Sequence, residues 1–137
     1  MARKQPAPAE TACCPPGDPC SSRIPLAERP LLGFVDAVKA MALFKVLAND
    51  TRIRILHHIV RSGEATVTDI AKTLGMKPQA VSNQLVRLSD TRMLASRRDG
   101  NNVFYRVQNG CVAPLLDLAL CLMEDERGAA ATTGDTP

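Results

Sequence analysis

From Lys77 to Arg106 the chain reads KPQAVSNQLVRLSDTRML and then, with no linker between, ASRRDGNNVFYRV: a helical pattern that passes directly into a hairpin. Pro78 suits the first turn of a helix, where a missing N–H costs nothing. Val81, Leu85 and Leu88 recur at helical spacing and leave Gln79, Ala80, Ser82, Asn83, Gln84 and Arg87 on the other faces. Leu94–Arg98 and Val103–Val107 are strand-like, and Asp99-Gly100-Asn101-Asn102 between them holds residues that tolerate the positive φ of hairpin turns. Just upstream, Thr66 with Asp69 makes a capping-box start, Ile70, Ala71 and Leu74 face inward, and Gly75 ends a short helix. Only Met76 and Lys77 then remain before Pro78. Two helices joined this tightly set the second into a DNA major groove, with the hairpin as a wing beside it.

The side chains on that second helix fit this task. Gln and Asn pair bidentately with adenine, Arg or Lys with guanine, Ser with either, and Ala can touch a thymine methyl. The expected recognition surface is Gln79, Ala80, Ser82, Asn83 and Gln84, with Lys77, Arg87, Arg97 and Arg98 mainly on phosphates, which position a protein without specifying sequence. Charge points the same way. Residues 77–106 hold six basic side chains against two acidic ones, whereas residues 107–137 hold one basic against five acidic. The modest net charge of +3 therefore hides a polarised molecule with one basic region for a polyanion, double-stranded DNA.

A chain of 137 residues suits one domain, and its pattern divides it into a Pro- and Cys-rich arm (1–30), a folded DNA-binding and dimerisation domain (31–127) and a disordered tail (128–137). Seven of the ten prolines fall in the arm, and Pro25 and Pro30 should keep helix from starting before Leu31. Periodicity predicts a helix over Phe34–Leu47. A second, Thr51–Arg61, has Ile53, Leu56 and Val60 on its inner face and stops at Gly63. After the hairpin a fifth helix runs from near Cys111 to about Asp125, with Pro114 in its first turn. The expected fold is mainly α with a small β-hairpin, a winged helix-turn-helix. With no Trp, one Tyr and three Phe, the core must be aliphatic and small, and the fifth helix is apolar on more than one face. Together with the Phe34 helix it is expected to form a homodimer interface. No apolar run approaches the ~18 residues of a membrane span, and no apolar segment follows the basic N-terminus, so a cytoplasmic protein without membrane contact is expected.

Three segments, FKVLANDTRIRILHHI, VTDIAKTLGMKPQAVSNQLVRLSDTRML and RRDGNNVFYRV, resemble the ArsR/SmtB family of bacterial metal-responsive repressors, in the family's order and spacing over about Phe34 to Glu124. The resemblance implies a homodimer that sits on an inverted-repeat operator and leaves it when an inducer binds. One family site is missing: many members carry a Cys-x-Cys-like pair at the start of the helix before the recognition helix, where this chain has Thr66 and Thr68 in ATVTDI. In the last helix, Cys121 and Glu124 fall where zinc-sensing members place His and carboxylate ligands, and Cys13-Cys14 is similar to arm cysteines of some arsenic- and cadmium-responsive members.

The candidate inducer ligands are Cys13, Cys14 and Cys20 in the arm and Cys111 and Cys121 on the last helix. An odd number of cysteines fits a reduced compartment and metal or redox use better than a closed disulfide set. Thiolates favour soft ions, Hg(II), As(III), Cd(II) or Pb(II), and Hg(II) and As(III) in particular accept two or three sulfur ligands. Ten residues of helix rise ~15 Å, so Cys111 and Cys121 of one chain cannot close on one ion and need partners from the arm or a second subunit. The alternative is a redox switch on the same thiols. A thiol enzyme using His57 or His58 is disfavoured, since no third group orients them and no phosphate-cradling Gly loop occurs.

Overall fold

The computed structural model describes residues 24–132, with side chains through Glu124. In chain order it comprises a single 3₁₀ turn (Leu26–Glu28), α1 (Phe34–Leu47), α2 (Asp50–Ser62), β1 (Ala65–Thr66), α3 (Val67–Leu74), α4 (Pro78–Asp90), β2 (Leu94–Asp99), β3 (Asn102–Val107) and α5 (Val112–Thr132). The architecture is a winged helix-turn-helix. The 3₁₀ turn corrects the expectation of no helix before Leu31; Pro25 begins it with φ −53°, and Arg29 Nε closes it onto the Ile24 carbonyl at 2.8 Å.

Local chemistry explains most of the boundaries. Asn49 caps α2 by accepting from the Arg52 N–H at 3.1 Å, and Gly63 ends it at φ 80°. In α3 the Thr66–Asp69 capping box is complete in both directions, and Gly75 closes the helix in the left-handed region. α4 ends differently. Met93 N–H bonds to the Leu88 carbonyl and Arg92 N–H to that of Ser89, the two bonds of a Schellman motif, and this places Arg92 at φ 61°. A left-handed residue with a Cβ costs about 1–2 kcal/mol, partly offset in a glycine by the larger entropy of its unfolded state. Arg92→Gly is expected to stabilise the protein by roughly 0.5–1 kcal/mol, measured as a higher denaturant midpoint at unchanged slope and fixed protein concentration; a lower midpoint would show that the Arg92 side chain contributes more than its backbone strain removes.

The core is aliphatic and centred on α2: Ile55, Leu56 and Ile59 pack with Ala65, Ile70, Ala71, Val81, Leu85, Leu88, Met93, Leu94 and Val112. The inner face of α2 is thus Ile55–Leu56–Ile59 rather than the expected Ile53–Leu56–Val60, and Ile53 and Val60 lie on its exposed flank. Both stripes are apolar at helical spacing, and the side taken by α3, α4 and the sheet decides between them.

The hairpin contains a third strand that was not expected. β1 pairs with β3 (Ala65↔Tyr105, Thr66↔Phe104), giving an antiparallel sheet in the order β1-β3-β2. Two residues are too short to show a periodicity. The β2–β3 turn is Gly100-Asn101 alone, because Asp99 and Asn102 already pair; a positive φ at Gly100 only is the pattern of a type II′ turn.

α5 begins at Val112 and continues to Thr132, past the expected end near Asp125 and through the first half of the predicted tail. Ala129, Ala130 and Ala131 are strong helix formers, and the helix continues into them through Gly128. Residues 133–137 lie outside the described chain, as does most of the predicted arm (1–23).

Candidate functional site

α4 turns Val81, Leu85 and Leu88 into the core, and Pro78 in its first turn fixes where the helix starts. The opposite face carries Lys77, Gln79, Ala80, Asn83 and Arg87, all exposed, with Ser82 half-buried at its edge. Gln79 Nε2 donates to Asn83 Oδ1 at 3.2 Å, one turn apart, so the two amides present a joined donor–acceptor edge. Val86, 54 % exposed, sits among them at a position suited to a thymine methyl. No polar group marks Val86 in the sequence; the signal for it is a helical wheel, which places it on the face of Gln79 and Asn83.

Gln84 is the first expected contact that the structure places elsewhere. Its Oε1 accepts from Arg52 Nε at 2.8 Å, while Arg52 Nη1 donates to the Val46 carbonyl at 2.8 Å. One guanidinium therefore joins the end of α1, the start of α2 and the middle of α4. Gln84 lies about 140° around the helix from Gln79, toward the buried side, where a long polar side chain needs a partner.

Arg97 is the second. Its Nε and Nη2 donate to Glu64 Oε2 and Oε1 at 2.6 and 3.0 Å, its Cζ lies 4.5 Å from the Phe104 ring centroid, and Asp99 Oδ2 is 3.8 Å from Nη1. The hydrogen bonds from Arg97 hold the Glu64 carboxyl below the usual carboxylate range; desolvation opposes them, and the charges of Arg97 and Arg106 add to the lowering. Arg98 is exposed with no ion pair to any described carboxylate.

Of the candidate thiols, Cys13, Cys14 and Cys20 lie outside the described residues. Cys111 is half-buried at the start of α5: its carbonyl accepts the first helical bond from Leu115, and its N–H donates to Asn109 Oδ1 at 2.9 Å. It borders an apolar cavity of about 80 Å³ between the end of α1 and α5, walled by Leu43, Leu47, Met93, Leu115 and Leu116. Cys121 is exposed, and the rise of a helix keeps it ~15 Å from Cys111. Among the described residues no three of His, Cys, Asp and Glu are grouped closely enough to share an ion. The donor set thus fits a soft ion in kind, and one chain's described part does not supply it in number.

Around these thiols the surface is apolar. α1 contributes only Val46 and Leu47 to the core, while Phe34 (84 % exposed), Val35, Val38, Met41, Leu43 and Phe44 face outward, as do Leu118, Leu120, Leu122 and Met123 of α5. His57 is exposed and His58 half-buried on α2, and Asp117 is exposed on α5, in a hollow that it lines with His57, Val60 and Leu120. No helix of the described residues is long and apolar enough to cross a membrane.

Comparison with known proteins matches this arrangement. A family model described as MarR family fits residues 49–102, from α2 through α4 and β2 to the wing turn. The crystal structure of AntR, an antimony-specific transcriptional repressor, superposes with a TM-score of 0.68 at 51% identity, covering 80% of this chain and 98% of that one. A probable mercury resistance operon repressor of Streptomyces lividans is 37% identical over 63% of this chain and 68% of its own length. The transcriptional regulator KmtR of Mycobacterium tuberculosis is 34% identical over 54% of this chain, which spans just over half, 56%, of KmtR.

Proposed function

Because the chain belongs to the ArsR/SmtB family of winged helix-turn-helix transcriptional regulators, we propose that it is a cytoplasmic repressor that binds operator DNA as a homodimer and leaves it when a soft metalloid or metal ion binds its cysteine thiolates. It is a regulator, the class to which its named relatives belong, and not an enzyme. The observation that carries the reading is the exposed polar face of α4, Gln79–Asn83–Arg87, held against the core by Val81, Leu85 and Leu88 and flanked by a basic wing. The AntR likeness favours a trivalent metalloid, antimony or arsenic, within the thiophilic group, since such ions take three sulfur ligands. Cys111 and Cys121, on a helix whose apolar face needs a partner, would supply some of those ligands, and Cys13, Cys14 and Cys20 the rest. A site shared between subunits gives binding a route to subunit geometry.

The DNA-binding half is tested on the recognition helix. Gln79→Ala or Asn83→Ala should each cost ~1–3 kcal/mol of operator affinity and relax preference at one base pair, whereas Arg87→Ala should weaken all sequences alike. Operator titrations across single-base variants separate the two patterns, and unchanged affinity in all three proteins would remove α4 from the interface. The inducer half is tested by adding metalloid salts or oxidant to the reduced protein on its operator. Release by oxidant alone would replace ion sensing with the redox switch.

A further inference from the structure

The wing carries three guanidinium groups in three different situations. Arg97 and Arg106 lie on the sheet face of Phe104 and Thr66, while Arg98 lies on the other face, opposite Val103. Arg97 alone is bound on both sides, by a two-point ion pair to Glu64 and by the Phe104 ring beneath it. Glu64 immediately precedes β1, one edge of the sheet, and Arg97 is on β2, the other edge. Their pair passes over the central strand and ties the wing to the segment that leads into α3.

Both side chains are partly exposed, 49 % and 38 %, so the pair alone is modest, yet exchanging the whole arrangement for a phosphate contact gains Arg97 little. Arg97 would give up two charge-assisted hydrogen bonds and a ring face for a comparable bond to phosphate, and Glu64 would be left ionised and unpaired beside a polyanion. We propose that Glu64 is a positioning residue that withholds Arg97 from DNA, fixes the wing on the body of the domain, and leaves Arg98 as the wing's phosphate contact. The basic region therefore presents one charge fewer per wing than its sequence counts. This inference rests on the DNA-binding reading above.

Salt dependence of operator affinity tests it, because each phosphate contact contributes ~0.9 to the slope of log K against log salt. A purely structural role for the pair would change affinity without moving that slope. In the full-length dimer, with two wings, Arg98→Ala should flatten the slope by ~1.8 and Glu64→Gln, which frees Arg97, should steepen it by up to ~1.8. The neutral pair Glu64→Gln/Arg97→Gln should return it to the wild-type value. Should that double variant melt early, Glu64→Arg/Arg97→Glu, which reverses the pair at constant net charge, carries the same expectation. If Glu64→Gln leaves the slope unchanged, or the double variant flattens it as Arg98→Ala does, the inference is overturned while the DNA-binding reading stands. A wild-type protein with no salt-dependent affinity for DNA would overturn both.

Discussion

Leu118→Glu is expected to yield a folded monomer that has lost operator affinity by on the order of 10²–10⁴-fold, the gain that a second linked half-site contact ordinarily supplies. Leu118 is 62 % exposed and is absent from the core, so the substitution leaves the chain's own packing intact. In a dimer built on α1 and α5 the same substitution places a carboxylate in an apolar interface without a partner, which is strongly unfavourable. Leu116 would be a poor choice, since it packs against the core and a charge there would damage the fold itself. Sedimentation gives the assembly state and circular dichroism the fold. A Leu118→Glu protein that sediments as a dimer with normal operator affinity would move the interface away from α5. Phe44→Glu, on α1, checks the other side of the same interface.

Trivalent antimony or arsenic, added to the reduced protein on its operator, is expected to lower affinity 5–150-fold, the usual range of allosteric coupling. Cys111→Ser and Cys121→Ser should each bind DNA as the wild type does and lose most of this response. The reason is positional: Cys111 lies at the start of α5 beside the apolar cavity, and Cys121 is exposed farther along the same helix, both distant in sequence from the recognition surface. A chain beginning at Ser21 should respond weakly if Cys13, Cys14 and Cys20 complete the ligand set. Full response in that shortened chain would confine the site to α5, and full response in the Cys111/Cys121 double variant would overturn a site shared between arm and helix. Thiolate-to-metalloid absorption, followed in the same titration, separates a failure to bind from a failure to transmit.

The helices were legible in the sequence because their start and stop signals are chemical and local. Thr66 with Asp69 and Pro78 begin helices, Gly75 and Gly63 end them, each through the backbone of one turn, and the structure has all four at the expected ends. What escaped depends on partners distant in the chain. β1 exists because β3, some forty residues later, offers Ala65 and Thr66 a ladder. The inner face of α2 depends on which of two apolar stripes the rest of the domain covers. For the candidate interface, Gln79, Ala80, Asn83 and Arg87 are readable as the face left over by Val81, Leu85 and Leu88, whereas the partners that Gln84 and Arg97 take within the chain are not readable, for one reason. Each looks like a free polar group in the sequence because its partner, Arg52 or Glu64, is more than thirty residues away.

Arg52 links the reading helix to the last turn of α1. Its guanidinium grips the Val46 carbonyl on one side and Gln84 on the other, so a shift at the end of α1 has a hydrogen-bonded route to α4. In the proposed dimer α1 belongs to the interface, and each half-site is ~17 Å from the two-fold axis, half of one helical turn of DNA. A rocking of each subunit by about 5° would displace its reading helix by ~1.5 Å, enough to take a base contact outside hydrogen-bonding range. Release from DNA then needs no unfolding and no blocked surface: a few degrees at the hub of a stiff lever spoil both grips together.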